Sequence, residues 1–268
     1  MLKLASIVVE RDGTRLLDGV SLQVGAGERW LVLGANGSGK TTLLRIAALY
    51  DHPTAGDVEL LGERLGRTDV RVLRQRIGYV SAALGDQLRP GLRVLDVVRT
   101  ARYAALEPWW HRYSADDDRR AMGCLERLGV DRFAERELGS LSSGERQRVL
   151  VARSLMNEPA VVLLDEPSAR LDLPGRELLV TALDDLAADP AAPPSVVVTH
   201  HVDEIAPSTT HILLLRGGRT LAAGPIGTVL DSASLSTCFG IDLDLERRPD
   251  GRLGAWPASG GRVSPPGR

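Results

Sequence analysis

Three short apolar runs constrain the fold of this 268-residue chain more than any other feature. Trp30–Leu33, Ala160–Leu164 and Ser195–Thr199 are nearly continuous rather than alternating. Strands buried on both faces of a helix-covered parallel sheet read this way. Each run stops at residues able to do chemistry: Gly34 after the first, Asp165 and Glu166 around the end of the second, His200 and His201 after the third. Ligands of open parallel sheets bind beyond the carboxyl ends of the strands, so three runs ending this way predict one site at one sheet edge. The expected class is α/β with a mostly parallel core sheet. The first residues, with Val20–Val24 and Val58–Leu61, read as a smaller antiparallel sheet, turning at Gly25–Gly27 and Gly56–Asp57.

From about 95 to 156 no strand pattern occurs. That stretch reads as a helical insertion, with Ala115–Leu128 and Gly144–Met156 its clearest helices. Ile212–Arg216 and Arg219–Ala223 form a hairpin around Gly217 and Gly218. The expected organisation is one domain over 1–245 and a flexible Gly/Pro/Arg-rich tail over 246–268. With 43% hydrophobic and 25% charged residues the chain can bury an ordinary globular core. Its 33 basic against 35 acidic residues lack the excess of a nucleic-acid binder. Cys124 and Cys238 match no metal or redox spacing and suit a reducing compartment. No apolar stretch approaches the ~18–20 residues of a membrane span. The opening run is cut by Glu10, Arg11 and Asp12, unlike a secretory leader. Any membrane role is therefore expected to come through a partner.

Gly34-Ala35-Asn36-Gly37-Ser38-Gly39-Lys40-Thr41 matches the strand–GxxxxGK[ST]–helix pattern. Its glycines let backbone N–H groups turn inward around phosphate oxygens, and the following helix adds its positive end. Lys40, one of only two lysines, is expected at the β- and γ-phosphates, Thr41 on magnesium, and Thr42 beside them. A mere glycine-rich turn would not need the strand before it and the helix after it. Asp165 suits the magnesium shell, because hard cations take carboxylate oxygens. Glu166, one residue on, is placed to act as base or to position the attacking water. The implied cofactors are ATP and Mg2+.

Leu141-Ser142-Ser143-Gly144-Glu145-Arg146-Gln147 resembles the LSGGQ signature of ABC ATPases, upstream of the acidic strand end as in that family. Asp172 resembles the D-loop aspartate and His200 the switch histidine. Ordered motifs from Gly34 to His200 make the chain resemble an ABC transporter nucleotide-binding subunit. The resemblance implies an ABC-type P-loop fold and a transport-coupled ATP hydrolase. It implies Glu166, His200 and Lys40 as catalytic residues. It also implies a head-to-tail homodimer in which Ser142, Gly144 and Asp172 face the partner's nucleotide, and separate integral membrane subunits. The expected location is the cytoplasmic face of the membrane, and the cargo branch resembled is metal, molybdate or iron-complex uptake. Independently of the family, Ser142-x-x-Glu145 is a capping box whose helix N-terminus is an anion site. The alternative function is a soluble ABC ATPase acting on ribosomes or DNA; the short helical insertion and lack of basic excess disfavour it.

Ser143 and Glu145 depart from the signature without removing Ser142 or Gly144. Arg11 holds the place of the family's adenine-stacking aromatic, where a guanidinium can also stack. Ala82 stands where the family places a magnesium-sensing glutamine; either Gln87 takes over through a longer loop or the contact is absent. Trp109 and Trp110 have two readings, packing within the helical insertion, as befits tryptophan's usual burial, or a docking surface for a membrane subunit.

Overall fold

The computed structural model describes residues 1–258. Two antiparallel strands open the chain, β1 (Leu2–Arg11) and β2 (Thr14–Val24), and β3 (Arg29–Leu33) leads into helix α1 (Lys40–Ala47). The strands β4 (Ala55–Leu60) and β5 (Glu63–Arg64) complete a four-stranded antiparallel sheet, ordered β2–β1–β4–β5. In β1 the inward residues Leu2, Leu4, Ile7 and Val9 change parity midway. The register shifts between Leu4 and Ile7, where Ser6 has φ 50°, and this bulge keeps both sets facing the core.

The chain continues through α2 (Val70–Arg74), β6 (Ile77–Ser81) and α3 (Ala82–Gln87) into the helices α4 (Val94–Arg99), α5 (Ala115–Arg127) and α6 (Ser143–Leu155). Both α5 and α6 start at full capping boxes, Ser114 with Asp117 and Ser142 with Glu145. Then follow β7 (Val161–Asp165), α7 (Leu173–Ala188), β8 (Ser195–Thr199), β9 (His211–Arg216), β10 (Arg219–Pro225), α8 (Ile226–Val229) and α9 (Ser232–Phe239). The central sheet runs β10–β9–β3–β8–β7–β6, parallel except for β10. All five residues of β7 are buried, as its unbroken apolar sequence predicts. The helical stretch shares its core with the sheet: Val80, Val162 and Leu164 lie in one buried cluster with Val97, Leu125 and Val149. Among the described residues no helix is long and apolar enough to cross a membrane.

One expectation is corrected, and one pair of readings is narrowed. The tail does not begin at 246, because Leu243–Arg247 (β11) pairs with Leu253–Pro257 (β12). Leu253 is buried with Val202, Ile205 and Leu235. The tight turn at Pro249–Gly251, which looks like tail composition, closes this hairpin; residues 259–268 lie outside the described residues. Trp109 and Trp110 do not pack inside the helical insertion. They are 60% and 86% exposed, and the Arg89 guanidinium lies 4.6 Å over the Trp109 ring, so the indole is covered by a charged side chain instead of the core.

Leu253→Ala tests the hairpin's place in the core. Deleting a buried leucine side chain is expected to cost about 2–5 kcal/mol, read as a lower urea midpoint. An unchanged midpoint would return the segment to the flexible tail.

Candidate functional site

The parallel registers bring the chemistry to one edge. Leu33 pairs with Thr199 and Asp165 with Val198, so Gly34, Glu166 and His200 leave their strands side by side. Gly34 has to be glycine here: a Cβ would stand 2.2 Å from the Leu215 carbonyl oxygen of β9. Gly39, at φ 101°, passes so close to Leu16 and Leu17 that a Cβ would meet both. It caps α1 without offering a side-chain acceptor, so the first-turn N–H groups are left to a ligand.

Lys40 is 4% exposed, and its Nζ donates to the carbonyls of Gly34 at 2.9 Å and Ala35 at 3.1 Å. Burial pulls its pKa below the usual lysine range, against the attraction of Glu166 and Asp165. Glu166 Oε1 lies 3.8 Å away. The Ser38 hydroxyl is buried with no hydrogen-bond partner among the described residues, an orphaned polar atom inside a loop built to wrap an anion. Asn36, Gly37, Gly39, Lys40, Thr41 and Thr42 line a cavity of about 310 Å3 together with Leu16 and Glu166. These residues fit a nucleoside triphosphate.

At the end of β7, Asp165 is 9% exposed and accepts a 3.0 Å hydrogen bond from Thr41 Oγ1. Desolvation raises its pKa against the Thr41 hydrogen bond, and the neighbouring Glu166 charge adds to the rise. A desolvated carboxylate beside a hydroxyl, next to a phosphate cradle, is a donor set suited to magnesium. Glu166 holds the left-handed backbone at φ 45°, a conformation costly for a non-glycine residue. Its N–H donates to Val198 O at 3.0 Å, which holds the turn, and its carboxylate meets His200 Nδ1 at 3.1 Å. His201 stacks obliquely on His200, ring centroids 4.0 Å apart.

The signature segment lies elsewhere. Ser142 Oγ accepts from Glu145 N at 3.3 Å, and the Glu145 carboxylate accepts from Ser142 N at 2.9 Å. Gly144 packs on Gly175 at the start of α7, whose N-terminus is capped by Asp172 through Gly175 N at 3.0 Å. Ser143 and Gln147 line a second cavity of about 280 Å3 with Ala82, Asp86 and Arg170, and the two cavities share one lining residue, Glu166. The site residues therefore form two groups: Gly34–Thr42 with Asp165, Glu166 and His200, and a separate Ser142, Gly144 and Asp172.

Arg11 lines neither cavity; its guanidinium donates to Asp51 at 3.0 Å. After β6 the chain enters α3, capped by Ser81 Oγ, so Ala82 stands near Glu166 while Gln87 is exposed at the far end of the helix and lines neither cavity. Leu16 escaped the sequence reading. It looks like any strand residue, and only the approach of β2 to Gly39 brings it to the phosphate loop.

Gly144→Ala tests the signature's packing. A Cβ there would stand 2.9 Å from Gly175 Cα, a backbone atom with no rotamer to give way. The expected cost is about 1–3 kcal/mol, measured by denaturant unfolding; an unchanged stability would contradict the close helix contact.

Comparison with known proteins identifies the family. The family model described as ABC transporter matches residues 17–169. The ABC transporter ATP-binding protein YlmA of Bacillus subtilis (strain 168) is 36% identical over 246 residues, covering 91% of this chain and 93% of its own. The phosphonates import ATP-binding protein PhnC 1 of Ruegeria sp. (strain TM1040) is 36% identical, covering 82% and 88%. Among solved structures, the dimeric ATP-binding cassette MJ0796, in a post-hydrolysis state with ADP and Pi, superposes with TM-score 0.71 at 29% identity, covering 84% of this chain and 99% of that one. Matched by the family over more than half of its length and by a relative over nine-tenths of it, this chain belongs to the ABC transporter family as an ATP-binding subunit of the P-loop NTPase superfamily.

Proposed function

We propose that this ATP-binding subunit hydrolyses ATP with magnesium, as one half of a head-to-tail homodimer, and drives solute transport through separate membrane subunits. The observation that carries the reading is the convergence of Lys40, Thr41 and Glu166 on one cavity, with Asp165 bonded to Thr41 and His200 to Glu166 behind them and Ser142–Gly144 absent from its lining. Lys40 and the N–H groups of Gly34–Thr42 bind the phosphates. Thr41 and Asp165 would hold magnesium, which when bound would supply charge neutralisation at the phosphate oxygens. Glu166 orients the attacking water and takes its proton, and His200 holds the Glu166 carboxylate in place and reaches the γ-phosphate. The signature helix of one copy, capped at Ser142, offers its N-terminus to the nucleotide of the other, with Gly144 and Asp172 at the same seam. The dimeric state of the MJ0796 cassette supports the dimer.

Arg11 is proposed to stack on the adenine. Its side chain is 56% exposed, and Asp51 also holds Arg45 at 2.8 Å, so Asp51 stays paired when Arg11 swings to the base. The release costs only about a surface ion pair, 0–1 kcal/mol. For the missing glutamine, the exposure of Gln87 supports the reading in which that contact is absent. The proposed location is the cytoplasmic face of the membrane, reached through the membrane partner. Import is the proposed direction, supported by the phosphonate-import relative; the proposed cargo class, metal, molybdate or iron complexes, rests on the family resemblance of the motifs.

Glu166→Gln is expected to keep ATP binding and to lose about 10^2–10^4-fold in turnover, the usual contribution of a general base. It should also accumulate an ATP-bound dimer on size-exclusion chromatography; wild-type turnover would reject the assignment. The tagged variant, recovered from detergent-solubilised native membranes with ATP and magnesium, is expected to bring a multi-span membrane protein. Ribosomal or chromosomal partners in its place would favour the soluble alternative. Arg11→Ala is expected to weaken ATP binding roughly 2- to 30-fold, as loss of a cation–π contact implies. An unchanged affinity by titration removes Arg11 from the base site.

A further inference from the structure

The C-terminal hairpin meets the turn beside the catalytic edge through the packing of Leu253 with Val202 and through the polar grip of Arg252. In its turn, Gly251 has φ 84° and Asp250 Oδ1 accepts from Arg252 N at 2.9 Å, which fixes the backbone at Arg252. The guanidinium grips Glu177 of α7 through both terminal nitrogens, at 2.8 and 3.3 Å, and also donates to the backbone carbonyl of Asp203. Its side chain is only 14% exposed.

Asp203 belongs to the 3-10 turn Val202–Glu204, which begins two residues after His200. That turn is fastened on every side. Arg176, next to Glu177 on α7, donates to the Asp203 carboxylate at 2.7 Å. Glu204, buried, accepts from the Thr199 hydroxyl, and Thr199 Oγ1 in turn accepts from His201 N at 3.1 Å. The backbone on both sides of His200 is thus held by the turn, and the turn by α7 and the hairpin. The same helix starts at Asp172, whose backbone carbonyl accepts from Arg176 N at 2.9 Å.

We propose that Arg252 is a positioning residue for ATP hydrolysis: clasping Glu177 and the Asp203 carbonyl, it sets the turn that presents His200 to Glu166. The C-terminal hairpin is then part of the motor's switch. This rests on the hydrolytic reading of Glu166 and His200 above. A guanidinium suits the task because its fork bonds a carboxylate and a carbonyl at once; lysine, a point charge, would keep only part of the grip.

The test measures ATPase kinetics, thermal midpoint and the His200 ring NMR resonance, assigned by its loss in His200→Ala. Arg252→Ala and Glu177→Gln are each expected to lower kcat about ten-fold, a modest misplacement of a catalytic group, with the KM for ATP unchanged. Arg252→Lys is expected to recover part of the loss. The His200 resonance is expected to move in Arg252→Ala and Glu177→Gln but not in Glu246→Gln, on the exposed face of the hairpin. Unchanged kcat, or a stationary His200 resonance, in Arg252→Ala overturns the proposal. If that variant does not fold, Glu177→Gln decides by the same two readings. Wild-type turnover in His200→Ala would instead reject the underlying site assignment, leaving the resonance shift to decide whether Arg252 sets His200.

Discussion

A single lysine placed under a glycine loop is the constraint on which the rest depends. Lys40 is buried, and a buried ammonium is costly unless every donor is met. Two loop carbonyls and the nearby Glu166 meet it here. Those carbonyls face inward only if the loop turns sharply at Gly37 and Gly39, both at positive φ. The loop can turn there only if β3 lies against β9 closely enough to forbid a side chain at Gly34. The antiparallel sheet has its own part in this, since Leu16 and Leu17 close over Gly39.

The same edge concentrates other unfavourable arrangements. Asp165 is desolvated, Glu166 holds a strained backbone, and the Ser38 hydroxyl is buried without a partner. A folded chain tolerates such features when its surroundings over-determine them. The surroundings here are the fully buried β7 and its neighbours β6 and β8, a packed sheet with little freedom to relax. The proposed nucleotide and magnesium would meet two of these needs together: a phosphate oxygen for Ser38 and a cation for Asp165.

The sheet-edge site was legible because its signals are local. Spacing within Gly34–Thr41 encodes the loop, and an apolar run ending in Asp165 and Glu166 encodes the paired acids. The helix starts at Ser114 and Ser142 were legible for the same reason, since a capping box is a four-residue pattern. The reading failed where local composition and tertiary packing disagree. Pro249-Asp250-Gly251 looks like tail, yet it is the turn of a hairpin that Leu253 anchors in a buried cluster. At Trp109 and Trp110 composition left packing and surface both open, and only the structure leaves the rings exposed.

The sequence alone therefore determined the local design: where the glycine loop turns, which residues carry the acids, and that three parallel strands end together. Short-range stereochemistry suffices for each of these, because glycine turns, caps and strand periodicity act within a few residues. Only the tertiary structure decided which distant groups meet. It placed Thr41 on Asp165, His200 on Glu166, Arg11 on Asp51 and Arg252 on α7 and the switch turn. Contacts across 34 to 124 residues, such as His200–Glu166 and Thr41–Asp165, depend on strand order and register in the assembled sheet. No local pattern in the chain encodes them.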